Sequence, residues 1–282
     1  MRSKLCLYSG PFPEINSYFE MVDIAAEHGL GYVETINSME FITPDIEVAK
    51  KLRKYADRRN VGFACCSVAA NLVDDDRREM IEFTKKFCQI AEILGSPFIH
   101  HTIALECGNP DNIVYRKEEC FKRGIEAADE ICSYAKSLGI KAIYEEQGYV
   151  FNGVAGVRRL MDGMSGSPGV VADFGNIMFA DEKIEDFIPH FADKIAHVHL
   201  KDYLLFDNGA SMEDGGLYTA QKNILRDCQL GEGVVNFDAA FEELKKAGYK
   251  GNFALECVAK GTRSENFLEK NVEFACKYIE KL

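Results

Sequence analysis

Nowhere does this chain carry the uninterrupted apolar run of about 18 residues that crossing a bilayer demands. Its opening, M-R-S-K-L-C-L-Y-S-G, holds too short an apolar stretch for a secretory leader. It also lacks any C-x-x-C pair, which argues against a thiolate zinc site or a thioredoxin-like motif. The ten cysteines are scattered through apolar runs, for example at Cys6, Cys65, Cys66, Cys88, Cys132 and Cys276, and without a leader they read as reduced thiols. Cys65 and Cys66 are adjacent, so at most one can face a barrel interior. Basic residues are scarce: 33 Lys and Arg stand against 45 Asp and Glu, for a net charge of −12. A phosphate surface repels such a chain at long range, which speaks against a general nucleic-acid or acidic-membrane binder. No Pro/Ser-rich linker or low-complexity tract divides the sequence, so one domain over 1–282 is expected, in a soluble, cytoplasmic protein.

What is present is rhythm. Short β-type runs fall near 4–8, 31–36, 61–67, 97–102, 140–145, 169–173, 195–200 and 252–256. Amphipathic stretches lie between them, with apolar residues at helical spacing such as Tyr18, Met21, Val22, Ala25 and Ala26, or Met80, Phe83, Phe87, Ile90, Ala91 and Leu94. Several close on a glycine just before the next strand, as at Gly29, Gly95, Gly139 and Gly248, where left-handed backbone ends a helix. Eight βα units predict an α/β fold, a single (β/α)8 TIM barrel, for which 282 residues and a 47% apolar fraction suffice.

Four successive strands close on polar heads: K-A-I-Y-E at Glu145, G-V-V-A-D at Asp173, I-A-H-V-H-L at His199 and N-F-A-L-E at Glu256. In a parallel barrel the carboxyl ends of strands converge on one face. One strand-end carboxylate reads as a helix cap and one histidine as a core residue, but four at equivalent places read as ligands of one divalent metal. Three carboxylates and one imidazole suit manganese, magnesium, cobalt or iron, with zinc also compatible. With four protein ligands, one face stays open to substrate oxygens. Two connections exceed the usual ~2 to 6 residues: 68–75, and the much longer 201–235, whose D-N-G-A-S-M-E-D-G-G and Q-L-G-E-G suggest a lid loop over the site.

The chain resembles the xylose-isomerase-like TIM-barrel superfamily, in its sugar phosphate isomerase/epimerase branch. The motifs are Y-E-E-Q-G at 144–148, V-V-A-D-F-G-N at 170–176, H-V-H-L-K-D-Y at 197–203, L-G-E-G at 230–233 and A-G-Y-K-G-N-F-A-L-E at 247–256. They cover the second half closely; the first half agrees in βα rhythm and in G-Y-V-E at 31–34. The resemblance implies Glu145, Asp173, His199 and Glu256 as metal ligands. It also implies Glu145 and Glu256 as the acid/base pair, one taking a proton from the carbon beside a carbonyl and the other returning it. A small-molecule carbohydrate is the implied partner, and barrels of this branch often associate, which allows a homo-oligomer.

Asn176 stands where many epimerases and the apurinic-endonuclease branch carry a histidine; an amide cannot replace imidazole in a three-zinc cluster, which demotes phosphodiester cleavage. Strand alternation sends Glu145 and Glu146 to opposite faces, and Glu145 is the expected ligand. His100 and His101 end the fourth strand, and one should meet a substrate hydroxyl, the alternative being a core histidine. Lys201 and Asp202 could orient His199, bind substrate or lie in a solvated loop. Glu34, at the end of the second strand, is a further candidate for substrate, as is Asn176. K-G-T-R-S at 260–264 offers Arg263 for a phosphate or simply a helix cap, and Glu232 could only shape a turn. The leading reading is an isomerase or epimerase of a sugar, sugar phosphate or polyol ketone. A lyase that expels a β-substituent from the same enediolate is the alternative, and a non-catalytic metal- or sugar-binding barrel the third.

Overall fold

A computed structural model describes residues 1–8, 15–104, 110–112, 116–212, 215–257 and 266–282. In chain order its elements are β1 (Leu5–Tyr8), α1 (Tyr18–Glu27), β2 (Tyr32–Thr35), α2 (Ile46–Asp57), β3 (Gly62–Val68), α3 (Arg77–Leu94), β4 (Phe98–His101), α4 (Lys117–Ser137), β5 (Lys141–Glu145) and α5 (Gly153–Gly163). There follow β6 (Gly169–Asp173), α6 (Ile184–Phe187), β7 (Ile195–Leu200), β8 (Tyr203–Phe206), β9 (Leu217–Tyr218), β10 (Ile224–Asp227), α7 (Phe237–Lys246), β11 (Phe253–Leu255) and α8 (Phe267–Ile279). The eight expected runs are β1 to β7 and β11, and they close into one barrel in the order β1-β11-β7-β6-β5-β4-β3-β2, every pair parallel.

Local chemistry sets where helices start and stop. The Ser17 hydroxyl accepts from the Phe19 N–H and the Asp45 carboxylate from those of Glu47 and Val48, capping α1 and α2. Gly95 ends α3 with φ 71°, a left-handed turn that costs glycine nothing.

Alternation along the strands makes two environments. Outward residues such as Val33, Phe63, Cys66, Ile99, Tyr144, Val198 and Phe253 join Met21, Leu52, Phe87, Ile131 and Leu160 of the helices in one apolar layer. Inward residues form smaller clusters, Cys6, Tyr8, Ala64 and Ala254 in one, Cys65, Ile143 and Val171 in another. Cys65 thus faces in and Cys66 out. Further up the same inward face, small apolar residues give way to the polar set described below.

The described residues of the segment 201–235 carry regular structure. They fold into a three-stranded antiparallel sheet, β8-β10-β9, whose strands of two to four residues are too short for a clear period of two. Tyr149 donates to the Tyr218 carbonyl at 2.6 Å, the Ala220 N–H donates to the Phe179 carbonyl at 2.8 Å, and Phe179, Tyr203 and Leu225 pack together. These contacts dock the sheet onto the segments that follow β5 and β6. The shorter segment, 68–75, is tied to the chain after β4 through Leu72 N–H to the Ile103 carbonyl and Ala70 N–H to Thr102 Oγ1. No helix among the described residues is long and apolar enough to cross a membrane.

Candidate metal centre

Register decides which polar side chains meet. A shift between Val170 and Val171 pairs Asp173 with His199 across β6 and β7, while His199 pairs on its other side with Ala254 of β11. The Glu256 N–H continues that ladder to the Leu200 carbonyl, so Glu256, one residue past its strand, rises on the inward face above Ala254. Glu145 and Asp173 are the last residues of β5 and β6. The result is a cluster in which Glu145, Asp173, His199 and Glu256 each offer one ligand atom within 4.8 Å of the others. All are buried except Glu256, whose side chain is 17% exposed.

Three of the converging atoms, Glu145 Oε1, Asp173 Oδ2 and His199 Nδ1, are buried without a hydrogen-bond partner. His199 Nδ1 lies 2.8 Å from Glu145 Oε1, 2.6 Å from Glu256 Oε2 and 3.7 Å from Asp173 Oδ2, close but out of line for hydrogen bonding. Orphaned buried polar atoms are costly, and three aimed at one point fit a hard divalent cation. The electrostatics agree. Burial would discharge His199, yet Glu34, Glu145 and Glu256 outweigh it and favour a positive charge at that ring; a proton or a metal ion answers the same field. Burial pushes the Glu145 carboxyl up to about 8, against the pull of His199. At Asp173 burial is more than offset by Lys201 and His199, holding the group below the usual carboxylate range.

Lys201 belongs to this cluster. Its Nζ lies 3.0 Å from Asp173 Oδ2 and donates to Glu256 Oε1 at 2.8 Å and Asn176 Oδ1 at 3.0 Å. Two of its three ammonium protons go to protein acceptors, and its charge lies against Asp173, which places Lys201 as a cation among the clustered carboxylates. Burial works against its charge, but Asp173 and Glu256 raise it well above the ordinary lysine value. Gly175 makes the approach possible, since a Cβ there would lie 2.7 Å from Lys201 Cγ. The other oxygen of Asp173 accepts from the N–H of Gly175 and Asn176 at 2.7 and 2.8 Å. Asp173 and Glu256 therefore each have one oxygen held by hydrogen bonds from the protein and one directed inward. Asn176 sits in this shell, amide oxygen toward Lys201.

Several expectations need revision. Asp202 neither orients His199 nor reaches the pocket. Its oxygens accept the N–H groups of Tyr203, Gly231, Gly233 and Val235, so it anchors the L-G-E-G turn; a Cβ at Gly233 would collide with that carboxylate. Glu232 is exposed in that turn. His101 points outward, its Nε2 3.2 Å from Tyr144 Oη and its Nδ1 3.0 Å from the Thr102 carbonyl, because alternation sends it away from the face that His100 takes. His100 is the inward one, with Nε2 3.7 Å from Glu145 Oε2; burial pushes its imidazole down to about 3 and that of His101 to about 4. Glu146 faces away from Glu145 and accepts the Asp173 N–H at 2.7 Å. Glu34 is fully buried beneath the cluster. Arg263 and the 260–264 motif lie outside the described residues.

His197 and Ser67 also belong to the buried polar network beneath the cluster. The Ser67 hydroxyl donates to Glu34 Oε1 at 2.6 Å, and His197 Nε2 lies 2.9 Å from Glu34 Oε2, with His199 Nε2 3.4 Å from the same oxygen. The spacing of two between His197 and His199 was the available signal, since it places both on one strand face. Glu34, His197 and His199 also gather ligand-type atoms within 4.8 Å, but Glu34 is already occupied by hydrogen bonds, so that group reads as an orienting network under the first. A carboxylate behind a ligating imidazole is the usual support for a metal-binding histidine.

A closed parallel barrel with an acid-and-histidine cluster at the carboxyl ends of its strands defines a (β/α)8 barrel with a candidate divalent-metal centre at its mouth. The chain belongs to the xylose isomerase-like TIM barrel family, whose model matches residues 22–281. Solved structures share the fold at low identity. D-psicose 3-epimerase from Clostridium cellulolyticum H10, crystallised with D-tagatose, superposes with a TM-score of 0.75 at 15% identity, covering 99% of this chain and 98% of that one. The 3-keto-D-glucoside 4-epimerase of E. coli gives 0.72 at 14%, covering 99% of each. An IolI protein with a bound zinc atom gives 0.71 at 18%, covering 99% of this chain and 95% of that one. No curated protein matches the sequence.

Proposed function

We propose that this protein is a divalent-metal-dependent isomerase or epimerase of a sugar, sugar phosphate or related polyol ketone, with Glu145 and Glu256 as the proton-transfer pair. The observation that carries the reading is the convergence of unpartnered Glu145, Asp173 and His199 atoms with Glu256 at the barrel mouth. Family membership and the epimerases among its structural neighbours support it. A divalent ion bound by these four residues supplies positive charge for the oxyanions that appear when the carbon beside a carbonyl loses a proton. The chain does the rest. Lys201 holds one oxygen of Glu256 and leaves the other facing inward. Glu145 is buried, so water has little access to a proton it carries. Two carboxylates on separate strands can then take a proton from one position and return it at another.

The test is solvent-deuterium exchange. Protein loaded in turn with Mn2+, Mg2+, Co2+, Fe2+ and Zn2+ is incubated in D2O with ketoses and their phosphates. Deuterium entering a sugar whose carbon skeleton is retained supports the reading. A new ultraviolet-absorbing enone indicates the lyase alternative instead, and no exchange with any metal or sugar counts against both.

A further inference from the structure

The mechanism leaves one buried chain of polar groups unused: Glu34, Ser67 and His100. Ser67 Oγ stands 2.6 Å from Glu34 Oε1 and 3.2 Å from His100 Nδ1. A hydroxyl has a single proton to give. The shorter contact, in which the hydroxyl donates to Glu34 Oε1, takes it. Ser67 then has only lone pairs left for His100, so Nδ1 of His100 must carry the imidazole proton. Its other nitrogen, Nε2, is buried with no hydrogen-bond partner and faces Glu145 Oε2 at 3.7 Å. At that range a bare lone pair and a carboxylate oxygen do not bond; a hydroxyl beside them can give its one proton to Nε2.

We infer that Glu34 and Ser67 lock His100 in its Nδ1–H tautomer, so that Nε2 is a hydrogen-bond acceptor reserved for a substrate hydroxyl beside Glu145. The tautomer follows from the hydrogen bonds alone, while the hydroxyl rests on the sugar reading above. In water a free imidazole prefers its proton on Nε2, so the arrangement is imposed by the fold. An acceptor at that place discriminates: a hydroxyl can donate to it, whereas a keto or phosphate oxygen meets lone pair against lone pair. His100 is thus a specificity-determining residue, and Ser67 and Glu34 are positioning residues acting through it.

The experiment is a long-range 1H–15N correlation on the full chain labelled at its six histidines, with His100 assigned from His100→Gln. Expected for the metal-free protein is a neutral His100 with its proton on Nδ1. Ser67→Ala should move that proton to Nε2, whereas Ser67→Thr, which retains the hydroxyl, should not. A His100 protonated on Nε2 in the unaltered protein, or unmoved in Ser67→Ala, overturns the proposal. So does coordination of Nε2 when Zn2+ is added, since His100 would then be a ligand. D-tagatose and D-psicose are next titrated into the Zn2+-loaded protein. A bound sugar should shift Nε2 and weaken roughly 10-fold in Ser67→Ala, the equivalent of one hydrogen bond; a bound sugar that leaves Nε2 unmoved sinks the hydroxyl role. If neither sugar binds, the sugar reading and the hydroxyl role lose support together, while the tautomer result stands or falls by itself.

Discussion

Lys201 Nζ donates to Glu256 Oε1 at 2.8 Å while Glu256 Oε2 faces His199 Nδ1 at 2.6 Å, so a single carboxylate is divided between a resident cation and the point where the ligand atoms meet. At Asp173 the same ammonium lies 3.0 Å from Oδ2, the inward oxygen itself. Three carboxylates at one barrel mouth are thereby partly neutralised before any metal arrives.

Lys201→Met should therefore destabilise the metal-free protein. Removing one partner of a buried ion pair costs roughly 3 to 5 kcal/mol, because the other charge is left uncompensated. Mn2+ should restore part of the loss, as the remaining carboxylates find another cation. Urea unfolding with EDTA and with Mn2+ checks this. Equal stability of variant and parent in EDTA would show that Lys201 carries no such role.

The four clustered residues should not respond alike to substitution. Asp173→Asn and His199→Gln should weaken metal binding, with some activity returning at high metal concentration. Glu145→Gln and Glu256→Gln each keep an oxygen donor and lose a base, so both should remain ~100- to 10,000-fold slower at saturating metal. Metal occupancy and deuterium exchange are measured together. Normal turnover by both metal-saturated glutamine variants refutes the acid/base assignment even where metal binding persists.

Asp202→Ala should act on stability rather than on the metal. Four backbone N–H groups lose their acceptor, and hydrogen bonds to a charged group contribute about 1.5 to 3 kcal/mol each when intact. Thermal melting should fall, and hydrogen exchange should rise through 230–235, while Mn2+ affinity by calorimetry is unchanged. A loss of metal affinity with the fold intact would return Asp202 to the site.

Glu269 provides a pH test remote from the mouth. Its carboxylate joins Arg2 and His28, tying the N-terminus to α8, and Arg2 foremost lowers it from 4.5 to about 2. A lowered carboxyl stabilises the fold above its unfolded value, and that contribution is lost as pH falls through the folded one. The stability difference between the parent and Glu269→Gln should be present at pH 7 and shrink from about pH 4.5 toward 2. Because both partners are about a third exposed, it should stay under about 1 kcal/mol and diminish with salt. A gap that widens on acidification contradicts the pairing.

Alternating runs of eight strands and the helices between them were legible from residue order, because a period of two against a period near 3.6 is local chemistry written in apolar spacing. So was the placement of Glu145, Asp173, His199 and Glu256 at strand ends, since a parallel barrel delivers those ends to one face whatever the loops do. What the side chains do there depended on register, which is set by pairing between distant strands. One shift at Val170/Val171 brings Asp173 opposite His199, and alternation turns His100 in and His101 out. Lys201 and Asp202, neighbours in sequence, part company for the same reason: one reaches Asp173 and Glu256, the other the 231–235 turn. The Glu34–Ser67–His100 chain joins three strands through hydrogen bonds only a few ångströms long. Residues 33 apart in sequence have no local pattern that announces such contacts, and only closure of the barrel makes them.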